Sequence, residues 1–342
     1  MDISYKNQLK KYTDTLLNIN TNWPDKREML IEIANLFTAM EAYDVNDFTN
    51  LNTRKGVTLN TGHALSTWSA AMCLLEISRT TTFLKGIIEA IQTILDSTRN
   101  RPIHILDAGC GPYALLSLLP ALYFNHETVK FHLIDIIPEN IASVKNIITS
   151  LEMDNYFGDI HLGDATSYQW PSSTALNMII SETMLNALRK EPQVAITRNL
   201  APQLASDGIF IPQEITVDLV AVDESGKHRQ RLNNVFDFCN ADYEIKIDQL
   251  FQLKPDHTTY LPKTIDLKKL TLPTFYDPAI HSLEFYTNIK VFGNHTLQES
   301  DCSLTMPYIY SRPYKNPIPA GTTLNFSYEI SSKPGIQVSF VD

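Results

Sequence analysis

Positive charge is scarce in this chain of 342 residues: 28 Lys and Arg stand against 38 Asp and Glu, a formal net charge of -10. The basic residues are scattered, which excludes a surface made for phosphate backbones and, with it, a nucleic-acid partner. Cysteine is scarcer still. Cys73, Cys110, Cys239 and Cys302 lie far apart and form no CxxC pair. That argues against structural zinc, or any metal, and against a disulfide framework, so a reducing, cytoplasmic setting is expected. Long apolar runs are missing as well. No stretch suffices to cross a bilayer, and the polar segment Met1–Lys11 lacks the apolar centre of a secretory signal, so no membrane partner is expected. Internal repeats and low-complexity tracts are also absent. What remains is 44% hydrophobic and 19% charged, ample for a large globular core or two domains.

Three textures follow one another along the chain. Residues 1–98 read as helical: Met29, Leu30, Ile33, Leu36, Phe37 and Met40 recur at helical spacing behind Pro24, a favoured first-turn residue. A second amphipathic stretch runs from Ser66 to Leu95, with Leu74, Leu75, Phe83, Leu84, Ile87 and Ile88 as its core face. Residues 99–212 then alternate short apolar runs (Ile103–Leu106, Phe131–Ile134, Ile160–Leu162, Leu176–Ile180) with helical segments such as Pro138–Ser150. That is the pattern of a parallel, doubly wound α/β sheet with helices on both faces. Residues 213–342 carry runs of period two, Ile215–Val222, Leu283–Val291, Thr323–Ile330 and Ile336–Phe340, as expected of antiparallel strands in a β-domain. A helical insertion is expected around Arg229–Phe251.

The chemistry begins at Asp107-Ala-Gly109-Cys-Gly111-Pro-Tyr-Ala114, directly after the first apolar run. Glycines let the chain turn off a strand and let a ligand lie against bare backbone. Gly109-x-Gly111-x-x-Ala114 also fits a dinucleotide fingerprint, but Asp107 would repel a pyrophosphate. S-adenosyl-L-methionine has no phosphate and carries an ammonium and a sulfonium, which a carboxylate suits. The string resembles the first motif of class I methyltransferases. Asp135 closes the second strand, where the crevice of such a fold offers a carboxylate to ribose hydroxyls. Gly163-Asp164-Ala165 follows the third strand, and the resemblance implies adenine contacts there.

A narrower resemblance rests on Ser181-Glu182-Thr-Met-Leu-Asn-Ala-Leu-Arg-Lys-Glu191. This is similar to the double-Glu loop of protein arginine methyltransferases, in which two carboxylates grip a planar guanidinium and fix its orientation. Glu76-Ile-Ser-Arg79-Thr80 resembles that family's helix whose Arg binds the cofactor carboxylate. Leu204–Pro212 resembles its crossing from the sheet into a β-domain. The family's Tyr-Phe-x-x-Tyr has no counterpart in Thr58–Ser66, and its Thr-His-Trp is replaced by Tyr308-Ile-Tyr-Ser-Arg-Pro-Tyr314. Those motifs shape the arginine pocket in the relatives, so the acceptor stays open.

The expectations are therefore these. The fold is a Rossmann-like methyltransferase sheet with a helical N-terminal lid and a C-terminal β-domain. Arg79, Asp107, Gly109, Gly111, Asp135, Asp164 and Ala165 bind S-adenosyl-L-methionine. Glu182 and Glu191 are the catalytic pair, and His63, in a Gly-containing loop, lines the acceptor pocket. The substrate is a small molecule or peptide, N-methylated on a guanidino or amino group. O-methylation of a natural product and a non-catalytic cofactor-binding role are the alternatives. The relatives dimerise through a helical arm, which makes a homodimer the expected assembly and Arg229–Phe251 its candidate arm.

Overall fold

The structure is a computed structural model that describes residues 4–40, 43–44, 51–171, 173–223 and 244–341. Helices α1 (Tyr5–Leu17) and α2 (Trp23–Ala39) form an antiparallel pair. Asn22 starts α2 by accepting a hydrogen bond from the Asp25 amide at 2.9 Å, and Pro24 occupies its first turn. Between this pair and the sheet lies a hairpin, β1 (Val57–Leu59) and β2 (Gly62–Ala64). His63 is thus a strand residue rather than a loop one. The long amphipathic stretch is two helices, α3 (Thr67–Met72) and α4 (Ile77–Ser97). A 3-10 turn at Cys73–Leu75 separates them, and Glu76, with ψ at 97°, breaks the axis and becomes the N-cap of α4.

The parallel sheet is formed by β3 (Ile103–Ala108), β4 (Val129–Asp135), β5 (Phe157–Leu162), β6 (Leu176–Ile180) and β7 (Ile209–Ile211), in the order β5-β4-β3-β6-β7. Helices α5 (Leu115–Ala121), α6 (Pro138–Ser150) and α7 (Gln193–Leu200) connect its strands. Both faces are buried. Ile105, Leu133, Met178 and Ile180 belong to the core that includes α4 and α6, while Leu106, Ile134, Ile179 and Phe210 pack with Ile196 and Leu200 of α7. Strands covered on both sides must be apolar throughout, which is why β3, β4 and β6 do not alternate, whereas the edge strand β5 exposes Asp159, His161 and Leu162. The chain winds outward from β3 to β5, then returns to the other side of β3. That reversal opens a crevice at the C-terminal ends of β3 and β6.

The antiparallel domain has two sheets. Strands β8 (Glu214–Asp223), β9 (Glu244–Leu253), β11 (His281–Phe292) and β12 (His295–Leu297) run in the order β12-β11-β8-β9, with β13 (Tyr308–Ser311) also on β11. Strands β10 (Thr264–Thr271), β14 (Thr323–Glu329) and β15 (Gly335–Phe340) make the second. The second sheet alternates as its sequence suggests, with one wet face. Strand β11 instead is buried over most of its length, because α4 packs on it: a Cβ on Gly86 would meet Val291 Cγ1 at 2.6 Å. Residues 229–243 of the expected helical arm lie outside the described residues. From Glu244 to Phe251 the chain is strand, where Ile245 and Phe251 pair across to β8 rather than forming a helix face.

Candidate functional site

The crevice is built first from backbone. Gly109 and Gly111 take φ of 87° and 66°, a region that costs any residue with a Cβ. The amides of Gly109 and Cys110 donate to the Ile134 carbonyl at 2.8 and 3.2 Å, so the loop folds over the end of β4. A Cβ on Gly109 would meet Thr183 Cγ2 at 2.5 Å. Asp135 organises the turn beyond: its two carboxylate oxygens accept from the amides of Gly111 and Ile137, each at 2.8 Å. Burial raises the Asp135 pKa, and these hydrogen bonds hold it back. Asp164 caps its own turn, accepting from the Thr166 amide at 2.8 Å, beside buried Ala165. Asp107 lies deepest, 3% exposed, with Ser117 Oγ donating to it at 2.7 Å. Burial pushes its carboxyl up to about 7; Ser117 opposes the shift, and nearby Asp135 and Glu182 add to it.

Across from this loop stands an ionic cluster. Glu182 Oε2 accepts from Nε of Arg79 at 2.9 Å and, more closely, from Nη2. Glu182 Oε1 is buried and has no hydrogen-bond partner. Glu76 Oε2 approaches Arg79 Nη1 at 3.6 Å. Glu191 is 7% exposed, and its carboxyl is pushed up to about 8, by burial first and by Glu182 second. Both glutamates are thus buried in a shared electrostatic environment, not solvated residues at a helix start.

What holds Glu191 there is an unusual backbone. Ala187, Leu188 and Lys190 have φ of 57°, 52° and 69°, a conformation each non-glycine residue adopts at a cost of about 1 kcal/mol or more. The surroundings over-determine it. The Ala187 amide donates to Thr287 Oγ1 at 2.7 Å, the Leu188 carbonyl accepts from Tyr328 OH at 2.7 Å, and the Lys190 amide donates to the Pro334 carbonyl at 2.9 Å. On the other flank the His63 amide donates to the Lys190 carbonyl at 2.7 Å. Gly62, with φ of 147°, lets the hairpin lie on this backbone, since a Cβ would sit 2.9 Å from the Pro192 nitrogen.

These pieces enclose one cavity of about 1150 Å³, counted out to its open mouth. Arg79, Asp107, Gly109, Gly111, Asp135, Asp164, Ala165, Glu182 and Glu191 all line it. His63 does not: its Nδ1 is 3.1 Å from Thr58 Oγ1, and its ring packs where a Cβ on Gly56 would stand. The walls include residues that sequence reasoning passed over. Asn140 Oδ1 is buried without a partner, and Cys73, its thiol pushed up to about 11 by burial, sits against the Arg79 cluster. Neither carried a local signal in the sequence.

No protein-family model matches the sequence, and no curated protein matches it either. Among solved structures, the PRMT1 enzyme-prozyme heterotetrameric complex of Trypanosoma brucei with AdoHcy is similar, at a TM-score of 0.50 and 14% identity. The match covers 79% of this chain and 92% of that one. The two share a fold. At that identity the likeness speaks for the arrangement of helices and sheets, and the chemistry has to be argued from the side chains of this chain.

Proposed function

We propose that this chain is an S-adenosyl-L-methionine-dependent methyltransferase that N-methylates a guanidino or amino group of a small molecule or peptide. The observation that carries the reading is the charge along one cavity. Carboxylates run from Asp164 to Glu191 beside bare glycine backbone, with Arg79 the one basic side chain among the described residues that line it. A pyrophosphate would be repelled by Asp107 and Asp135, whereas an ammonium and a sulfonium are attracted. The orphaned oxygens Asn140 Oδ1 and Glu182 Oε1 add two acceptors that call for donors, as hydroxyls and cations supply. The PRMT1 complex, of the same fold, is with AdoHcy, the demethylated form of that cofactor.

On this reading Asp107, Gly109 and Gly111 hold the methionine portion and Arg79 its carboxylate. Asp135 holds the ribose, and Asp164 with Ala165 the adenine. When bound, the cofactor supplies a methyl group on a sulfonium, whose departure needs little help. The work of the protein is then positioning and electrostatics. Arg79 gives up Glu182 as it turns to the cofactor carboxylate, and Glu182 is freed to face the acceptor. Glu182 and Glu191 orient the acceptor nitrogen, and Glu191, with its carboxyl near 8, takes up the proton that nitrogen releases. The same raised pKa supports a second reading: a protonated Glu191 donates a hydrogen bond, which suits a hydroxyl or carboxyl acceptor and hence O-methylation. The reading also supports residues 1–98 as a lid, 99–212 as the cofactor domain and 213–342 as the β-domain. Since the PRMT1 complex is a heterotetramer, we take a homodimer as the simplest assembly to test by light scattering.

The deciding experiment couples binding to turnover. Calorimetry should show AdoHcy binding with no response to NAD. Methyl transfer is then followed over a panel of guanidines, amines, phenols and carboxylates, with mass spectrometry to locate the methyl group. Glu182→Gln should lower turnover on a nitrogen acceptor at least a hundredfold, roughly the 2.7 kcal/mol of one preorganised electrostatic contact. Its AdoHcy affinity should be no weaker than wild type, because Arg79 no longer has to leave an anionic partner. Methylation of oxygen alone, with Glu182→Gln still active, overturns the nitrogen assignment and leaves the cofactor.

A further inference from the structure

On the far side of Arg79 and Glu191 lies a second cavity, which shares Leu65, Cys73, Arg79 and Glu191 with the first as a common wall. Its remaining apolar surface comes from Met72 and Leu75 before α4, Met184 and Leu185 after β6, and Leu304 of the β-domain. Polar groups are few and already engaged. Ser303 Oγ donates to Glu76 Oε2 at 3.0 Å, and Ser69 Oγ accepts from Ser66 Oγ at 3.0 Å. Two carboxyls face the space, Glu76 at its rim, with 31% of its side chain exposed, and buried Glu191. Arg79, the one cation among the described residues of either wall, is bound to Glu182.

Such walls select. A peptide backbone here would bury amides and carbonyls against Leu and Met with nothing to meet them, which is costly for each group. An anion would face Glu76. An apolar body is welcome, and Met72 and Met184 adapt to its outline. A single positive charge on that body finds Glu76 at the rim and the two buried glutamates beyond.

Resting on the methyl-transfer reading, we propose that the methyl acceptor comes in through this second cavity as a compact apolar body bearing one cation. An arylalkyl or alkyl guanidine or amine fits that description, and Glu76 is the specificity-determining residue that meets its charge on the way to Glu191 and Glu182. A basic peptide is the wrong shape and the wrong polarity for the space.

The test uses the full chain saturated with AdoHcy and four probes followed by calorimetry: benzylguanidine, guanidine, benzyl alcohol and the tripeptide Gly-Arg-Gly. Benzylguanidine should bind at least tenfold more tightly than each of the others. Glu76→Gln should lose most of the preference for benzylguanidine over benzyl alcohol, a charge selectivity that a merely structural role would leave alone. Met72→Trp should weaken benzylguanidine at least tenfold with AdoHcy affinity within twofold of wild type; if that variant misfolds, Glu76→Gln decides. Equal binding of benzylguanidine and benzyl alcohol, tighter binding of the tripeptide, or an unchanged preference in Glu76→Gln each overturns the inference. Failure of AdoHcy itself to bind the wild-type chain would instead defeat the cofactor reading beneath it.

Discussion

Asp107 is a carboxyl in a place that does not favour charge. Buried at the floor of the crevice with one hydroxyl donor, its carboxyl is pushed up to about 7 and holds its proton to higher pH than an ordinary carboxyl. A ligand ammonium beside it reverses the balance, so binding expels a proton wherever the free protein still holds one. Below pH 7 that proton must be removed first. AdoHcy affinity should therefore fall about tenfold from pH 8 to pH 6, and Asp107→Asn should bind weakly and flatten this dependence. For folding, the sign is opposite. The folded chain keeps a proton between the ordinary carboxylate range and pH 7 that the unfolded chain has lost, so this group's stability contribution declines as pH rises through 7. Calorimetry in two buffers of different ionisation enthalpy checks the proton count, and no proton release at pH 6 would remove Asp107 from the ammonium contact. Asp107 and Asp135 were legible in the sequence because each closes an apolar run that is a buried strand, and Asp164 because it follows Gly163 at the end of the next short run. Asn140 and Cys73 were not, because nothing local distinguishes a cavity wall from an ordinary core position.

The segment from Asn186 to Glu191 shows what an element can hide. Its one glutamate, Glu191, stands out in the sequence, but its three left-handed residues do not, since Ala, Leu and Lys are poor choices for that conformation. The structure tolerates them through partners far along the chain: Thr287, Tyr328 and Pro334 on one side, the hairpin at Gly62 and His63 on the other. The break at Glu76 was hidden for a similar reason, because an amphipathic period runs through Ser66–Leu95 without interruption while the axis turns. Lys190 is exposed and offers a clean test of the strain. Lys190→Val puts a β-branched side chain at φ of 69° and should cost about 1–2 kcal/mol in urea denaturation. Lys190→Gly relieves the strain but loosens the unfolded chain, so the two effects nearly cancel and the midpoint should hardly move. A Val variant as stable as wild type would mean that the loop relaxes to another conformation and that the observed one is not enforced.

At the scale of the whole molecule, the parallel sheet and the antiparallel domain divide one task between them. The crevice at the switch point of the sheet supplies the floor. The short apolar runs made the parallel sheet legible, and the glycine loop with its strand-end carboxylates pointed to the crevice, while the strand order itself is seen in the structure. The antiparallel domain supplies the brace, which was not legible, because period two marks a strand without saying what it props up. Tyr328 on β14 is the clearest strut: fully buried, its ring tilted against Phe251 at 5.3 Å between centroids, it donates its hydroxyl to the Leu188 carbonyl. Tyr328→Phe keeps the ring and removes that one bond. The loss of stability should be about 1 kcal/mol, the ordinary net worth of a neutral hydrogen bond. If the brace holds Glu191 in working geometry, the effect on chemistry should be larger than the effect on folding. Turnover should fall about tenfold or more, since small misplacements of orienting groups are expensive, while AdoHcy affinity should stay unchanged because the residues proposed to bind it lie on α4 and at the ends of the parallel strands. Val338→Ala, a comparable trimming of the same sheet away from the loop, supplies the control for stability. Should the two variants lower turnover equally, the antiparallel domain would be contributing stability alone, and the constraint on Glu191 would have to come from the hairpin at His63 instead.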